Sequence, residues 1–197
     1  MSSLHHLDDD AFRQVNELAR DTAWLHGAVL DYAKYGVVLF AVLLLAGLLV
    51  GRQRDARTVA AAGWAGAGML LAIGLNQPLG QWVGEDRPYR AMPDVLLLAH
   101  RTADFSFPSD HAVMAGAVAG GLWLVSRRLG LVAAAAALLM AFARVYIGAH
   151  YPWDVLAGLA FGAAVVLLGW LLLGRPLTRL VEWAAALPRV GGLVVAG

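Results

Sequence analysis

Three short stretches of the chain place histidine, arginine, serine and aspartate side chains at the ends of hydrophobic segments. Ionisable groups are costly near a membrane core and are rare there unless they have a function. Together the stretches supply a nucleophile, an acid-base group and phosphate-binding cations, the set that phosphoryl transfer to a histidine requires. They read Glu85-Asp86-Arg87-Pro88-Tyr89, then Phe107-Pro108-Ser109-Asp110-His111, then ARVYIGAHYPWD from Ala143 to Asp154.

The last stretch places a histidine between an arginine and an aspartate. Pro152 suits the first turn of a helix, so we expect His150 in the turn before it. Asp154 can then reach one imidazole nitrogen and make the other a better nucleophile. Arg144 converges on His150 only if the preceding helix ends near Gly148. An arginine this far inside a span needs an anionic partner or water, which favours a phosphate-binding role over a structural one.

The other two stretches favour anion binding. Ser109 is predicted at the N-cap of a helix, whose free N–H groups and positive dipole end attract anions, and His111 follows in the first turn. This motif alone is equally compatible with simple helix capping. Arg87 precedes a proline at a rigid corner where a guanidinium can bind phosphate, although Glu85 and Asp86 are expected to compete for it.

The composition is that of a polytopic membrane protein. Of 197 residues, 60% are apolar and 15% charged, with a mean hydropathy of +0.65. The net charge of +1 argues against a nucleic-acid partner, and the absence of cysteine excludes disulfides and thiolate zinc sites. No sequence cluster has metal-ligand spacing, so no metal and no cofactor is predicted. The acidic N-terminus predicts no cleaved signal.

We predict a single all-α integral membrane domain over residues 1–197, with about five transmembrane helices. An amphipathic stretch at 11–31 predicts an interfacial N-terminal helix within residues 1–32. A transmembrane core at 33–174 and a cytoplasmic tail at 175–197 complete the division. The five predicted spans are 33–51, 58–76, 110–126, 130–149 and 153–174.

Smaller patterns refine this picture. The apolar run 95–99 predicts a short interfacial or re-entrant helix over the site. Glycine pairs with GxxxG spacing, Gly116 with Gly120 and Gly158 with Gly162, indicate close helix packing.

Arginines in three regions predict the orientation, since cytoplasmic loops carry an excess of positive charge. The N-terminus and the long 77–109 connection then lie outside, where nearly all the acidic residues fall. The arginines predicted to be cytoplasmic are Arg52, Arg54, Arg57, Arg127, Arg128, Arg175, Arg179 and Arg189.

Taken together, the stretches resemble the three signature motifs of the type-2 phosphatidic acid phosphatase superfamily, over roughly residues 76–160. The family pattern is a lysine followed by arginine-proline, a Pro-Ser-Gly-His, and a Ser-Arg followed by a spaced histidine and aspartate. Gly80 stands in place of the lysine, Asp110 in place of the glycine and Ala143 in place of the serine. The segments SFPSDHA and ARVYIGAHYPWD are similar to a bacterial subgroup, the bacitracin-resistance-type undecaprenyl-diphosphate phosphatases.

The resemblance implies roles for individual residues. His150 resembles a nucleophile that forms a phosphohistidine, and Asp154 its orienting partner. His111 resembles the general acid that protonates the leaving oxygen and then the base that activates water. The implied phosphate-binding set is Arg87, Arg144 and Ser109, with Asp110 beside them.

The implied function is hydrolysis of a polyprenyl (undecaprenyl or decaprenyl) diphosphate to the monophosphate. It would take place at the outer face of a bacterial cytoplasmic membrane and recycle the lipid carrier for cell-wall synthesis. The predicted partners are this lipid phosphate and the membrane lipids. Two alternatives remain open: a phosphatase of glycerolipid monophosphates, and a non-catalytic lipid or anion transporter, although the internal repeats typical of transporters are missing.

Overall fold

The computed structural model describes residues 2–187, with side-chain surroundings from residue 6 onward. Part of the predicted tail, residues 188–197 including Arg189, lies outside the described residues. Within the described range the protein is all-helical. Its elements are α1 (Ser2–Asp21), a 3-10 helix (Ala23–Leu25), α2 (His26–Arg52), α3 (Ala56–Val83), α4 (Pro88–Ala91), α5 (Asp110–Val125), α6 (Arg127–Tyr146) and α7 (Pro152–Ala185).

Local chemistry explains where the long helices begin and end. The Asp55 carboxylate accepts a hydrogen bond from the Thr58 N–H at 2.7 Å and so caps the start of α3. Gly84 ends α3 in the left-handed conformation, with φ 66°. Pro152 occupies the first turn of α7, as predicted, where its missing N–H costs no hydrogen bond.

Helix α5 is the centre of the bundle and packs against α3, α6 and α7. All four glycines of the predicted pairs lie at the contact between α5 and α7, which confirms the packing prediction. A Cβ on Gly158 would lie 2.9 Å from the Ser109 carbonyl oxygen, and one on Gly162 would overlap the carbonyl of Val113. Small residues therefore bring the two backbones into direct contact.

Among residues 2–187, four helices are long and apolar enough to cross a membrane, and α5, with 16 residues, is a shorter apolar helix in their midst. The fold is thus that of an integral membrane protein, and the five predicted apolar segments fall on α2, α3, α5, α6 and α7. Helix α6 ends at Tyr146, before the predicted residue 149, because the chain turns at Gly148. Leucines on the outer faces of α2, α6 and α7 are largely exposed, as lipid-facing residues must be. The span ending at Ala185 is longer than predicted, because α7 continues past residue 174 through Pro176.

The N-terminal helix differs from the prediction. A single helix over 11–31 is wrong, because the chain breaks at Thr22 and α2 begins at His26. Phe12 and Ala19 on α1 are fully buried. The Asn16 side chain donates to the carbonyl of Leu96 at 2.8 Å and accepts from its N–H at 3.0 Å. Helix α1 therefore packs on the protein itself.

The connection from α4 to α5 is irregular, and the predicted short helix at 95–99 is wrong. Its backbone polar groups are instead satisfied by neighbours. Asn16 bonds Leu96 from one side, and the N–H of Leu98 donates to the carbonyl of Ile147 at 3.0 Å from the other. These bonds replace those that a helix would have made internally.

The bundle has two chemically different ends. The site end holds the end of α3 and the starts of α5 and α7. A hydrogen bond from the Asn76 side chain on α3 to the carbonyl of Pro108, just before α5, has a length of 3.0 Å. The basic end holds the arginines at residues 52–57, 127–128 and 175–179. There the Arg54 guanidinium donates to the carbonyl of Val125 at 3.0 Å. Each arginine-rich connection is therefore a full helix length from the predicted site.

Candidate active site

The three chemistry-bearing stretches meet at the site end. The N–H of Ser106 donates to the carbonyl of Glu85 at 2.8 Å, which joins the first stretch to the second. The N–H of Ser109 donates to the carbonyl of Asp154 at 3.2 Å, which joins the second to the third. The residues brought together are His150, Asp154, Arg87, Arg144, Ser109 and His111.

A break in the helix between α6 and α7 positions His150. Gly148 has φ 78°, which L side chains rarely adopt, and an added Cβ would collide with the Leu96 carbonyl. The N–H of Ala149 folds back to the Arg144 carbonyl at 3.1 Å. Helix α6 therefore ends just before Gly148, as the prediction required for His150 and Arg144 to lie at one site.

The His150 ring is held in its neutral form. It is buried, and its Nδ1–H donates to the Ser106 carbonyl at 2.9 Å. Its Nε2 accepts a hydrogen bond from Arg87 Nη1 at 3.1 Å, so the lone pair belongs to Nε2. Burial, followed by the positive charges of Arg144 and Arg87, lowers the pKa of His150 well below its usual value.

Asp154 lies behind the ring and is fully buried. Its Oδ2 is 3.4 Å from His150 Nδ1 and accepts hydrogen bonds from Ser106 Oγ at 2.5 Å and from the Tyr151 N–H at 2.8 Å. The Ser106 carbonyl is thus closer to His150 Nδ1 than the Asp154 carboxylate is, and the Ser106 hydroxyl holds that carboxylate in place. Sequence reasoning missed this serine, although it stands three residues before Ser109 in the same motif.

Arg87 is buried and bridges His150 to an acidic residue of the irregular connection. Its Nη1 donates to the Ala149 carbonyl at 3.0 Å as well as to His150, and its Nη2 lies 2.8 Å from Asp104 Oδ2. The Asp104 carboxylate thus accepts from Arg87 Nη2, a donor that could otherwise bind a phosphate oxygen. No sequence motif marked Asp104.

The prediction that Glu85 and Asp86 compete for Arg87 is wrong. Asp86 instead faces Arg90 at 3.5 Å on the surface. Glu85 is half-buried and lies beside Asp154. Burial, together with the negative charges of Asp154 and Asp8, raises the pKa of Glu85 to about 7.

Three polar groups of the site have no hydrogen-bond partner among the described residues. Arg144 Nε and Ser109 Oγ are buried and have no hydrogen-bond partner among the described residues. Ser109 stands at the predicted N-cap of α5, but its hydroxyl does not cap the helix. The His111 side chain is partly exposed, makes no hydrogen bond within residues 6–187, and lies near enough to His150 to affect its charge.

The Asp110 side chain lies against α3 rather than against His150. Its carboxylate accepts hydrogen bonds from Asn76 at 2.7 Å and Gln77 at 3.0 Å, both on α3. A cavity of about 180 Å³ opens here, lined also by Asp104 and by Gly80, the position of the family lysine. A polar, partly acidic cavity therefore stands where the family pattern has a cation.

The arrangement offers a neutral imidazole whose Nε2 lone pair accepts one hydrogen bond from Arg87, two guanidinium groups, a hydroxyl without a partner among the described residues, and a second histidine. These groups can bind a tetrahedral anion and attack it in line. Within the part of the chain that the structure describes, no group of three or more histidine, aspartate or glutamate side chains is arranged to hold a metal ion.

Comparison with known proteins gives consistent results. A model of the PAP2 superfamily matches residues 61–176, more than half of the chain. Undecaprenyl-diphosphatase BcrC of Bacillus subtilis is 30% identical over 87% of this chain and 88% of the relative. Phosphatidylglycerophosphatase B of the same species is 29% identical over 81% and 80%. The crystal structure of a transmembrane PAP2-type phosphatidylglycerolphosphate phosphatase from B. subtilis has the same fold, with a TM-score of 0.64, 23% identity, and coverage of 91% of this chain and 88% of that one.

Proposed function

This chain belongs to the PAP2 superfamily and is a multi-pass membrane phosphatase, and we propose that its substrate is a polyprenyl diphosphate. The product is the polyprenyl monophosphate, which is returned as a lipid carrier for cell-wall synthesis. The site faces the outside of a bacterial cytoplasmic membrane. The name and coverage of the undecaprenyl-diphosphatase relative support this choice of substrate.

One observation carries the proposal: two buried donors at the His150 site have no partner among the described residues. Arg144 Nε and Ser109 Oγ both lack a partner among the described residues, beside a neutral His150. Leaving a buried donor unpaired costs about 1–3 kcal/mol, more for a charged group. A bound phosphate would satisfy both, so the site is preorganised for an anion.

The reaction proceeds in two steps, phosphorylation of His150 and hydrolysis of the phosphohistidine. His150 Nε2 attacks the terminal phosphorus, the bond from phosphorus to the bridging oxygen breaks, and His111 gives a proton to the departing prenyl monophosphate. Water then attacks the phosphohistidine, His111 takes a proton from it, and the P–N bond breaks to release inorganic phosphate. For the first step Arg87 must exchange its bonds to His150 and Asp104 for phosphate oxygens.

At a site with few cations, the ease of leaving-group departure favours a diphosphate over a phosphate monoester. The cavity at Gly80 has no lysine, and Asp104 and Asp110 are acidic, so the site neutralises less charge than the family pattern. A diphosphate has the better leaving group, because the departing prenyl monophosphate is more stable than an alkoxide. Binding of the prenyl tail can add to turnover.

The test is phosphate release by purified protein in detergent, with chelator present, from prenyl diphosphates and phosphatidate. We expect kcat/KM for a long prenyl diphosphate to exceed that for phosphatidate about tenfold, equal to about 1.4 kcal/mol in transition-state binding. Equal or faster hydrolysis of phosphatidate would instead favour a glycerolipid monophosphate phosphatase. Complete loss in chelator, restored by magnesium, would overturn the metal-free mechanism.

A variant tests the nucleophile in the same assay. His150→Gln should abolish turnover and the acid-labile phosphoenzyme trapped from labelled substrate. His100→Gln, at an exposed position, is the matched control and should retain both. Substantial turnover by His150→Gln would contradict the assignment.

A further inference from the structure

A second cavity lies at the basic end of the bundle, a helix length from His150. Its volume is about 840 Å³, within the range of sites that hold small organic ligands. The first turn of α3 contributes Arg57, the end of α5 contributes Leu124, and the remaining wall is the second half of α7. Nothing in the proposed phosphatase chemistry uses this cavity.

The polar side of the cavity is strongly positive. Arg57, Arg175 and Arg179 line it against a single acid, Glu182. None of these arginines makes an ion pair or a side-chain hydrogen bond within residues 6–187, although Asp55 lies near Arg57. Arg175 and Arg179 are four residues apart on α7 and therefore share one face of the helix. Three arginines lining one cavity against a single carboxylate leave an excess of positive charge, which favours a phosphate group.

The other side of the cavity is apolar and opens toward the lipid-facing surface. It is formed by Trp170, buried to 8% exposure, and by Leu171, which is 79% exposed beside the equally exposed Leu172. Free phosphate would leave this wall uncovered. An acyl chain along Leu171 would cover it and keep its headgroup among the arginines.

We infer that this cavity binds an anionic phospholipid of the bilayer leaflet at the basic end. The phosphate lies between Arg57, Arg175 and Arg179, and one chain runs along Leu171. Basic pockets between membrane helices bind anionic headgroups by this combination of charge and apolar contact. The inference stands independently of the substrate proposed for the outer site.

The test measures lipid retention by the purified full-length protein. Protein reconstituted in mixed phosphatidylglycerol and phosphatidylcholine micelles is delipidated by dilution, and the bound lipid is counted by native mass spectrometry. Wild type should retain more phosphatidylglycerol than phosphatidylcholine. In the double variant Arg175→Gln, Arg179→Gln, the ratio of retained phosphatidylglycerol to phosphatidylcholine should fall about tenfold. The matched control Arg127→Gln, Arg128→Gln removes two exposed arginines from the same end outside the cavity and should behave as wild type.

A second measurement uses wild type alone and does not depend on the folding of a variant. Phosphatidylglycerol should raise the thermal unfolding temperature in a saturable way, and phosphatidylcholine should not. Equal protection by phosphatidylcholine would overturn the inference. So would equal protection by inorganic phosphate, or unchanged phosphatidylglycerol retention in a folded double variant.

Discussion

At the scale of single residues, His150, the proposed nucleophile, is oriented by a chain of contacts behind it. His150 Nδ1 donates to the Ser106 carbonyl, Ser106 Oγ donates to Asp154, and Glu85 lies beside Asp154. Asp154 Oδ1 has no hydrogen-bond donor among the described residues unless Glu85 carries a proton. With its pKa raised to about 7, Glu85 is protonated below pH 7 and can be that donor.

The ionisation of Glu85 should therefore limit activity at alkaline pH. Above pH 7 its carboxylate repels Asp154 and adds negative charge near the phosphate site, so kcat/KM should fall by up to about tenfold per pH unit. Glu85→Gln, which stays neutral and can still donate, should remove this fall. Asp86→Asn, at the neighbouring exposed position, is the control and should keep the wild-type pH profile. Coincident profiles for wild type and Glu85→Gln would show that another group titrates.

At the scale of helices, the contact between α5 and α7 sets the geometry of the site. Ser109 at the start of α5 and Asp154 at the start of α7 are joined by one backbone hydrogen bond of 3.2 Å. Gly158 and Gly162 keep the two helices close behind that bond. Any side chain at these positions pushes Ser109 away from Asp154 and His150.

Gly162→Ala should therefore reduce both stability and turnover. The added Cβ meets the backbone of Val113, and overpacking of this kind costs about 1–3 kcal/mol. Gly74→Ala, on α3 with nothing within 4 Å of the new Cβ, is the matched control and should be neutral or slightly stabilising. Thermal unfolding and kcat measured on the same preparations check this, and equal unfolding temperatures for the two variants would contradict the packing argument.

The sequence predicted these helices better than it predicted the connections between them. The sequence shows directly the lengths of the apolar segments, the position of Pro152 and the spacing of the glycine pairs. These patterns therefore predict the helices, a helix start and a helix–helix contact. The break at Thr22 and the irregular course of 95–99 depend on tertiary partners, Asn16 and Ile147 among them, and no local pattern encodes these. For the same reason motif spacing located His150 but not Asp104, whose contact with Arg87 spans an irregular loop.

At the scale of the whole molecule, the two ends of the bundle have opposite chemistry. The site end carries the acidic residues Glu85, Asp86, Asp94 and Asp104 along with the buried arginines, and the basic end carries most of the exposed arginines. Positive loops favour the cytoplasmic side. A diphosphate substrate would therefore be bound from the outer leaflet, and the arginine-lined cavity would face the cytoplasmic leaflet.

This orientation predicts opposite labelling of two single-cysteine variants, in a chain that has no native cysteine. Gln53→Cys lies in the exposed connection between α2 and α3 and leaves the Asp55 cap intact, and Ala91→Cys lies exposed at the end of α4. A membrane-impermeant maleimide added to intact cells should label position 91 and spare position 53, because an arginine-rich connection favours the cytoplasmic side. Both positions should react after the membrane is permeabilised, which controls for access to the thiol. Labelling of position 53 in intact cells, with position 91 protected, would place His150 on the cytoplasmic side and exclude a substrate drawn from the outer leaflet.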